Sequence, residues 1–341
     1  MKPVLKIFNK VITHNSPTLI IAEIGINHMG SEDLCKEMII EALESGADCV
    51  KLQTGFVDEC FDKETDSYEI FKNAQLDKDS LIRLKKIASD NNGYLFSSPG
   101  DFSSIRLLEE IKLDAYKISS GQFTNIPLIR ELANIGKPMI LSTGMASYEE
   151  IKKIYEMLTN LDFNNFAFLH TVSLYPADSA KLNLGFIKKM SKLFNVISGY
   201  SDHALGELAC LSAIAAGAKI IEKHFTIDNS LPGADHRISM NPKDFRKMCF
   251  KIREIEKMFF ASEIKPHPEE LRLKNNRIRK IVAKTDLKQG DIIDLNKVKF
   301  IRVNKEEGYF SAYEWDNVVN KKIKNNIKKN QLINKNNIYL D

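Results

Sequence analysis

The stretch LIIAEIG at residues 19–25 is a short apolar run with one acidic residue near its end, and an amphipathic segment follows it. The same arrangement recurs in seven further runs: CVKLQT (49–54), YLFSS (94–98), AYKISS (115–120), PMILSTG (138–144), FAFLHTV (166–172), VISGYSDH (196–203) and KIIEKHFT (219–226). Between the runs lie segments with helical spacing, such as KDSLIRLKKIASDNNG (78–93). Strand–helix alternation repeated eight times is typical of a closed parallel barrel, so we predict an α/β fold of the (β/α)8 TIM-barrel type. An open doubly wound sheet is the alternative, although such sheets usually have fewer strands.

One interval between strands is much longer than the others. It contains GFVDECFDKETDSYEIFKNAQ (55–75), which we interpret as a loop inserted after the second strand. Loops on that side of a barrel build active sites, so we expect this insertion to border the site.

The pattern changes after residue 260. The stretch ASEIKPHPEELRLKNNR (261–277) has two prolines and many charges, which indicates a linker. Two strand-like pieces follow it, RKIVAKT (279–285) and KVKFIRV (297–303). We therefore predict a barrel domain over residues 1–262, a linker over 263–277 and a small domain over 278–341. Because a domain of about 60 residues has a marginal core, we expect it to pack on its own barrel or on a partner's.

The composition excludes several classes of protein. The 341 residues are 43% hydrophobic and 28% charged, as in ordinary globular proteins. The sequence contains no run of 18 apolar residues, so we expect no membrane-spanning helix. The first residues do not resemble a secretory signal. The five cysteines are scattered without CxxC spacing, which favours reduced packing thiols and a cytoplasmic location.

The net charge of +4 is unevenly distributed along the chain. From residue 272 onward there are 17 Lys and Arg against 8 Asp and Glu. This excess is either a genomic bias towards lysine and asparagine or a positive lid over an anionic substrate. Nucleic-acid binding is not expected, because no basic run alternates with aromatic residues that could stack on bases.

Polar residues gather at the carboxyl ends of the predicted strands, which in a barrel face the catalytic mouth. They are Glu23, Lys51, Gln53, Ser98, Lys117, Ser120, Ser142, Ser173, Ser201, His203 and His224. This distribution is the strongest indication of a catalytic site that the pattern alone provides.

Lys51 and Lys117 lie inside otherwise apolar runs, where an unpaired ammonium group is costly to bury. They are either salt-bridged core lysines, anion ligands or, for one of them, a Schiff-base nucleophile. Two cations ringed by serine hydroxyls suit a phosphate and a carboxylate. Each serine taken alone is more often a helix-capping residue.

His203 and His224 end the seventh and eighth predicted strands, which are neighbours in a barrel. A single histidine is more often a core residue, but two imidazoles at adjacent strand ends suit Mn²⁺, Zn²⁺ or Fe²⁺. Glu23 could orient water or move a proton, or it could form a salt bridge with Lys51 on the next strand. Both roles are compatible.

Several ordered motifs also resemble one known family, the bacterial sialic acid synthases, which include N-acetylneuraminate, legionaminic acid and pseudaminic acid synthases. The motifs are IAEIGINHMG (21–30), VKLQT (50–54), AYKISSGQ (115–122), LSTGM (141–145), GYSDH (199–203), EKHFT (222–226) and LPGADH (231–236). The later segment LKQGDIIDLNKVKFIRV (287–303) resembles the antifreeze-like (SAF, β-clip) domain that follows the barrel in that family.

The resemblance implies a homodimer that exchanges its small domains, with phosphoenolpyruvate and a divalent metal in the barrel mouth. It implies Mn²⁺ as the metal, with Mg²⁺ or Co²⁺ possible, and an acetamido-hexose as the second substrate. Matched by motif, the phosphoenolpyruvate contacts are Lys51, Ser98, Lys117, Ser120, Ser142, Ser173 and Ser201. The metal ligands are His203 and His224, and the sugar contacts are Gln53, Tyr175, Asp235 and, from the partner's small domain, Arg302.

The chain departs from the family's pattern at four positions near the expected site. Gln122 stands where glutamate is usual near the sugar, so any acid or base role is lost there. Ser173 replaces asparagine, Ser98 replaces threonine, and Gly100 replaces a bulky aromatic residue. Each change leaves room for a different sugar. The motif LPGADH favours the sialic and legionaminic branch over the pseudaminic one.

We therefore predict a transferase that condenses phosphoenolpyruvate with an N-acetylmannosamine-type sugar to give a nine-carbon nonulosonate and phosphate. Carbon 3 of phosphoenolpyruvate would attack the sugar aldehyde, polarised by the metal, and Glu23 would handle the water that adds at carbon 2. A Schiff-base pyruvate aldolase using Lys117 is one alternative. Others are a sugar-binding barrel without activity and a synthase that uses a sugar phosphate, although no extra basic cluster is evident for a second phosphate.

Overall fold

A computed structural model of the chain describes residues 2–233, 235–259, 265–303 and 308–339. The chain divides into two compact units, Met1–Phe260 and Ala261–Asp341. The predicted boundary between barrel and linker, at residues 262 and 263, lies outside the described residues. In the described ranges, no helix combines the length and apolar character that crossing a membrane requires.

The first unit contains a closed barrel of eight parallel strands, which confirms the predicted TIM barrel. The strands are β3 (Leu19–Gly25), β4 (Cys49–Thr54), β5 (Tyr94–Pro99), β6 (Tyr116–Ile118), β7 (Met139–Ser142), β8 (Phe166–Thr171), β9 (Ile197–Asp202) and β10 (Ile220–His224). They pair in chain order, and β10 closes the barrel against β3. An antiparallel hairpin of β1 (Leu5–Ile7) and β2 (Lys10–Ile12) precedes them.

Helices follow the barrel strands in chain order. They are α1 (Glu32–Glu44), α2 (Val57–Cys60), α3 (Asp66–Asn73), α4 (Lys78–Asp90), α5 (Phe102–Glu110), α6 (Ile126–Ile135), α7 (Tyr148–Asn160), α8 (Gly185–Phe194), α9 (Leu208–Ala215) and α10 (Pro242–Phe259). Local chemistry fixes several ends: Asp101 and Ser147 form capping boxes at α5 and α7. Gly136 ends α6 in the left-handed conformation with φ of 82°.

The insertion after β4 differs from its prediction, because it is not simply a loop. It contains the short helices α2 and α3. Tyr68 of α3 is buried, and its hydroxyl donates to Asp58 of α2 at 2.6 Å, which joins the two helices. The insertion is thus stabilised in part by a contact between its own helices.

The strands place their side chains alternately inside and outside the barrel. One set of residues packs beneath the helices; examples are Ala22, Val50 and Leu141. The other set points inward and is apolar at the amino ends of the strands: Leu19, Ile21, Cys49, Phe96, Ala115, Ile140, Ala167, Leu169, Ile197 and Ile220. The hairpin packs against this inner cluster, with the Phe8 ring stacked on Tyr94 at 4.4 Å. The amino end of the barrel is therefore filled and dry.

The second unit is built around an antiparallel pair, β11 (Lys280–Ala283) and β12 (Val298–Ile301), at the two strand-like pieces of the sequence. A small apolar core surrounds it; its buried members are Ile281, Ala283, Leu287, Ile293, Val298, Phe310, Val318, Ile323, Ile327, Ile333 and Ile338. The segment predicted as a linker contains a helix, α11 (Pro268–Arg277). Its first residue is proline, which favours a helix start because its φ is already helical.

Candidate active site

A cavity of about 340 Å³ opens at the carboxyl ends of the barrel strands. We call it the charged mouth. It brings together most of the predicted site residues: Glu23, Lys51, Gln53, Lys117, Ser120, Ser142, Ser173, Tyr175, Ser201, His203 and His224. It is also lined by residues that the sequence analysis did not select: Ser119, Gly121, Met145 and Glu222.

The floor of the charged mouth is a buried cluster of two lysines and two glutamates. Lys51 Nζ lies 3.0 Å from Glu23 Oε2 and 3.5 Å from Glu222 Oε1. Lys117 Nζ lies 3.3 Å from the same Glu222 oxygen. All four side chains are almost completely shielded from solvent, so each charge depends on the others for compensation. The alternative role of Glu23 as a salt-bridge partner of Lys51 is thus present in the structure.

Glu222 is the main residue that the sequence analysis missed. It lies on β10 two residues before His224, and side chains two apart on a strand share one face. That spacing could have identified it, because His224 was already assigned to the mouth. Its carboxylate also accepts a hydrogen bond from Ser201 Oγ at 3.1 Å. Glu222 therefore connects both lysines with the ring of hydroxyls.

Burial and mutual attraction shift the pKa values of this cluster in different directions. Burial alone would raise the pKa of Glu222, but Lys117 and Lys51 outweigh it and hold that pKa at about 2. Burial raises the pKa of Glu23 despite the opposing charge of Lys51. Burial lowers the pKa of Lys117 to about 8, although Glu222 opposes the shift. For Lys51, the attraction of Glu222 and Glu23 overcomes burial and raises the pKa. At neutral pH the cluster therefore presents two cations and a firmly ionised Glu222.

Serine hydroxyls surround these cations. Lys51 Nζ donates to Ser98 Oγ at 3.2 Å. The buried Oγ atoms of Ser142 and Ser173 have no hydrogen-bond partner among the described residues. Gly144 allows the crowding, since a Cβ there would lie 2.3 Å from Ser173 Oγ and 2.5 Å from Ser120 Oγ. Unpartnered buried hydroxyls indicate that a polar ligand completes the site.

The two predicted metal ligands lie side by side, with His203 and His224 ring centroids 5.5 Å apart. His203 Nδ1 lies 2.8 Å from the Val172 carbonyl oxygen, which fixes this nitrogen as the donor. Its other nitrogen, Nε2, is therefore an acceptor and lies 3.0 Å from the Tyr175 hydroxyl. The buried His224 Nδ1 has no hydrogen-bond partner among the described residues and lies 3.8 Å from Asp235 Oδ2.

Burial keeps both imidazoles neutral, which is the form that binds metals. It lowers the pKa of His203 and lowers that of His224 to about 4. Across the residues that the structure describes, no three His, Cys, Asp or Glu side chains converge as a complete metal site. The pair fits a divalent ion that takes two ligands from the chain and leaves its other positions open. His224 Nδ1, which has no hydrogen-bond partner among the described residues, is available to bind such an ion.

The remaining predicted residues lie outside the charged mouth. Ser98 and Gln122 line a neighbouring compartment of about 300 Å³. Asp235 follows β10 and approaches His224, as given above. Arg302 belongs to the second unit, directly after β12, and its side chain is exposed. Its predicted contact with a sugar across a dimer stays a prediction.

Comparison with known proteins agrees with this geometry. The chain matches the NeuB family over residues 38–263 and the SAF domain over residues 278–338. It is 33% identical to the N,N'-diacetyllegionaminic acid synthase of Campylobacter jejuni, over 93% of this chain and 98% of that protein. It is 30% identical to the N-acetylneuraminate-9-phosphate synthase of Homo sapiens, over 90% and 89% respectively.

A solved structure leads to the same family. The N-acetylneuraminic acid synthetase of Leptospira borgpetersenii, in complex with citrate, superimposes with a TM-score of 0.77 and 33% identity. The match covers 81% of this chain and 98% of that one. The predicted resemblance is thus confirmed, and the chain belongs to the NeuB family of sialic acid synthases, with a SAF domain following its barrel.

Proposed function

We propose that this chain condenses phosphoenolpyruvate with an N-acetylmannosamine-type amino sugar to give a nine-carbon nonulosonate and inorganic phosphate. One observation carries the proposal: Lys51 and Lys117 share the Glu222 carboxylate in the same cavity that His203 and His224 border. A substrate with two anionic groups and a neutral aldehyde can therefore bind next to each other in the charged mouth. The names of the relatives, legionaminic acid and N-acetylneuraminate-9-phosphate synthases, support the reaction class.

Phosphoenolpyruvate carries a phosphate and a carboxylate, which correspond to the two ammonium groups on the floor of the mouth. Lys51 and Lys117 are buried, so their attraction for an anion is weakly screened by water. The free hydroxyls of Ser142 and Ser173 can donate to the same anion. These groups are fixed before the substrate arrives, which holds the reacting carbon in place.

The reaction forms one carbon–carbon bond, and at carbon 2 it replaces the bond to the phosphate oxygen with a bond to the oxygen of water. Carbon 3 of phosphoenolpyruvate attacks the aldehyde carbon of the open-chain sugar, and positive charge develops at carbon 2. Water adds at carbon 2 and gives up one proton. The bond from carbon 2 to the bridging oxygen then breaks, phosphate leaves, the new hydroxyl loses its proton to become the carbonyl, and the former aldehyde oxygen takes up a proton to become a hydroxyl. Glu23 is our candidate for accepting the proton that the water gives up, since its raised pKa makes it a stronger base than an exposed glutamate. Gln53 Nε2 holds Glu23 Oε1 in position at 2.9 Å.

His203 and His224 would hold a divalent ion, for which we propose Mn²⁺ with Mg²⁺ or Co²⁺ as alternatives, and which would supply Lewis acidity to the sugar aldehyde. The Val172 carbonyl orients the His203 ring for such a role. Tyr175 covers the pair, with its ring 4.1 Å from the His203 ring between centroids. It can limit access of water to the ring nitrogens.

The test is phosphate release from phosphoenolpyruvate, measured with Mn²⁺ and with a chelator, in the presence of different sugars. The panel contains N-acetylmannosamine, 2,4-diacetamido-2,4,6-trideoxymannose and mannose. We expect release that requires both an amino sugar and the metal, together with a nine-carbon acid detected by mass spectrometry. Folded, metal-loaded protein that releases no phosphate with any amino sugar would contradict the proposal.

The lowered pKa of Lys117 favours a second candidate, a Schiff-base aldolase, because a neutral amine is the nucleophile in such enzymes. Borohydride added with pyruvate would trap such an intermediate as a covalent adduct on Lys117. We expect no adduct, since Lys117 and Lys51 are both needed as cations for phosphoenolpyruvate. An adduct, with activity that survives the chelator, would favour the aldolase.

The predicted homodimer and cytoplasmic location stay predictions. Sizing the protein in solution tests the dimer directly: a monomer of 38.8 kDa would exclude an exchanged SAF domain. A dimer in which Arg302→Ala weakens sugar binding without changing the dimer would support the predicted contact across it.

A further inference from the structure

A second compartment adjoins the charged mouth and differs from it in chemistry. It has a volume of about 300 Å³, which is at the lower end of small-ligand pockets. Gln53, Ser119 and Gly121 line both cavities, so a ligand can extend from one into the other. None of the described residues that line this second cavity is acidic or basic. We call it the neutral compartment.

Its walls combine apolar surface with one fixed amide. The rings of Phe61 and Phe71, from the insertion after β4, lie 4.7 Å apart between centroids. Gln122 Nε2 donates to the Gly100 carbonyl oxygen at 2.8 Å, and its Oε1 accepts from Asn125 Nδ2 at 2.8 Å. These bonds fix which atom of the amide is the donor. One N–H and one oxygen lone pair of Gln122 remain for a ligand.

The open space depends on small residues around Cys60. A Cβ at Gly100 would lie 2.6 Å from Cys60 Sγ, and one at Gly55 would lie 3.0 Å from the same atom. Cys60 Sγ donates to Asp101 Oδ2 at 3.2 Å, and burial together with this bond raises the pKa of the thiol to about 12. The thiol is therefore neutral at physiological pH, and it separates the compartment from the Asp101 carboxylate behind it.

We propose that the neutral compartment binds a second, uncharged N-acyl substituent of the amino sugar, and that it selects against sugar phosphates. This inference rests on the proposed function. An acetamido group has one N–H, one carbonyl oxygen and a methyl group, which match the free atoms of Gln122 and the two phenylalanine rings. A phosphate in the same place would lose its water without meeting a cation, which is strongly unfavourable.

The first experiment uses the native protein and compares three acceptors under one set of conditions. They are 2,4-diacetamido-2,4,6-trideoxymannose, N-acetylmannosamine and N-acetylmannosamine 6-phosphate. We expect kcat/KM for the diacetamido sugar to exceed that for N-acetylmannosamine by about tenfold or more. Burial of the second acetamido group, with its hydrogen bonds and its methyl group, can provide discrimination of this size. We expect the 6-phosphate to be the poorest acceptor.

A pair of variants tests whether the compartment causes this preference. Cys60→Met fills the space with a flexible side chain, and Cys60→Ala is the matched control that leaves it open. We expect Cys60→Met to lower kcat/KM for the diacetamido sugar about tenfold while changing that for N-acetylmannosamine less than threefold. We expect Cys60→Ala to keep the native ratio of kcat/KM for the two sugars, and circular dichroism reports that each variant is folded.

The outcomes separate this inference from the proposed function. No phosphate release with any acceptor would overturn the proposed function itself. Release with N-acetylmannosamine or its 6-phosphate at least as fast as with the diacetamido sugar would overturn only the role of the neutral compartment. Equal losses for both sugars in Cys60→Met would also overturn it, because the effect would then be on the barrel mouth in general.

Discussion

The two ends of the barrel use the same inward-facing positions of the same strands for opposite purposes. On β7, Ile140 belongs to the dry inner cluster, and Ser142, two residues later, lines the charged mouth. On β10 the sequence passes from Ile220 to Glu222 and His224. Since side chains two apart share a face, the polarity changes along the strand and not across it.

The comparison shows how stability and chemistry are separated in this fold. At the amino end, the aliphatic layers and the hairpin exclude water, so that end is stabilised by burial of apolar surface. At the carboxyl end, buried lysines and glutamates are retained at an energetic cost that only pairing offsets. Substitutions at the two ends should therefore have different consequences, even when they are chemically identical.

The largest contrast is expected between two histidines. His203→Ala removes one imidazole of the proposed metal pair and should lower turnover by about 10³-fold or more, because Lewis acidity contributes several kcal/mol to such reactions. His14→Ala, on the exposed segment between the hairpin and the barrel, should leave activity unchanged. Phosphate release and circular dichroism measure the two properties. Full activity of His203→Ala in metal-free buffer would contradict the proposed role of a metal in the reaction.

The next contrast concerns Glu222, which joins both lysines. Glu222→Gln keeps the shape but leaves two buried ammonium groups without their shared carboxylate, so Lys117 should lose its proton more easily. We expect kcat/KM for phosphoenolpyruvate to fall about 10²-fold at pH 8.5 and less at pH 6.5, where Lys117 regains the proton. A loss that does not depend on pH would contradict this positioning role.

Glu256→Gln is the matched control for that variant. Glu256 is also buried, but it lies on α10 and bonds to Arg253 and the Thr18 amide, away from the mouth. This variant should lower the melting temperature while preserving kcat/KM. Equal catalytic losses in the two variants would indicate a general effect of removing buried charge.

The smallest contrast uses neighbouring inward positions on β7. Ile140→Ala should reduce the free energy of unfolding by about 2–5 kcal/mol, because Ile140 is fully buried, and leave kcat/KM unchanged in the folded fraction. Ser142→Ala should change the unfolding free energy by less than about 1 kcal/mol, since its Oγ has no partner to lose among the described residues. It should lower kcat/KM for phosphoenolpyruvate about tenfold. Denaturant unfolding and initial rates measure the pair, and reversed effects would contradict the division between the ends.

Most of the barrel was predictable because its strands obey a simple alternation with helices. The polar ends of the strands also identified the mouth, since strand direction alone brings them together. Glu222 was not predicted, although strand alternation places it on the same face as His224, two positions later. On other strands the residue two positions earlier is apolar, as Ile140 is on β7 before Ser142.

The remaining misses depend on tertiary contacts that local patterns do not encode. In the insertion after β4, Tyr68 of α3 bonds to Asp58 of α2, a contact between two helices that the pattern of neither segment shows. The neutral compartment is lined both by Phe61 of that insertion and by Gln122, which follows β6. Because these segments are far apart in the chain, the compartment could not be predicted from the sequence. Gln122 and Gly100 were predicted only as departures from the family's pattern.

Whether the charged mouth binds phosphoenolpyruvate is tested by the affinity of two matched variants for it, measured by calorimetry with Mn²⁺ between pH 6.5 and 9. Lys117→Met removes a cation from the mouth. Lys219→Met makes the same change at the amino end of β10, where Lys219 Nζ donates to the Ser16 carbonyl oxygen at 3.0 Å. Lys117 faces Glu222, Lys51, Glu23 and His203, and its pKa of about 8 means that its charge is lost as pH rises through that value.

We predict that native protein and Lys219→Met bind phosphoenolpyruvate alike, with Kd rising about tenfold between pH 7 and 9 as Lys117 loses its proton. We also predict that Lys117→Met binds about 30-fold more weakly at pH 7, as the loss of one charge-assisted contact implies, and that its Kd varies little with pH. Binding by Lys117→Met as tight as that of the native protein would contradict the assignment of the charged mouth to phosphoenolpyruvate.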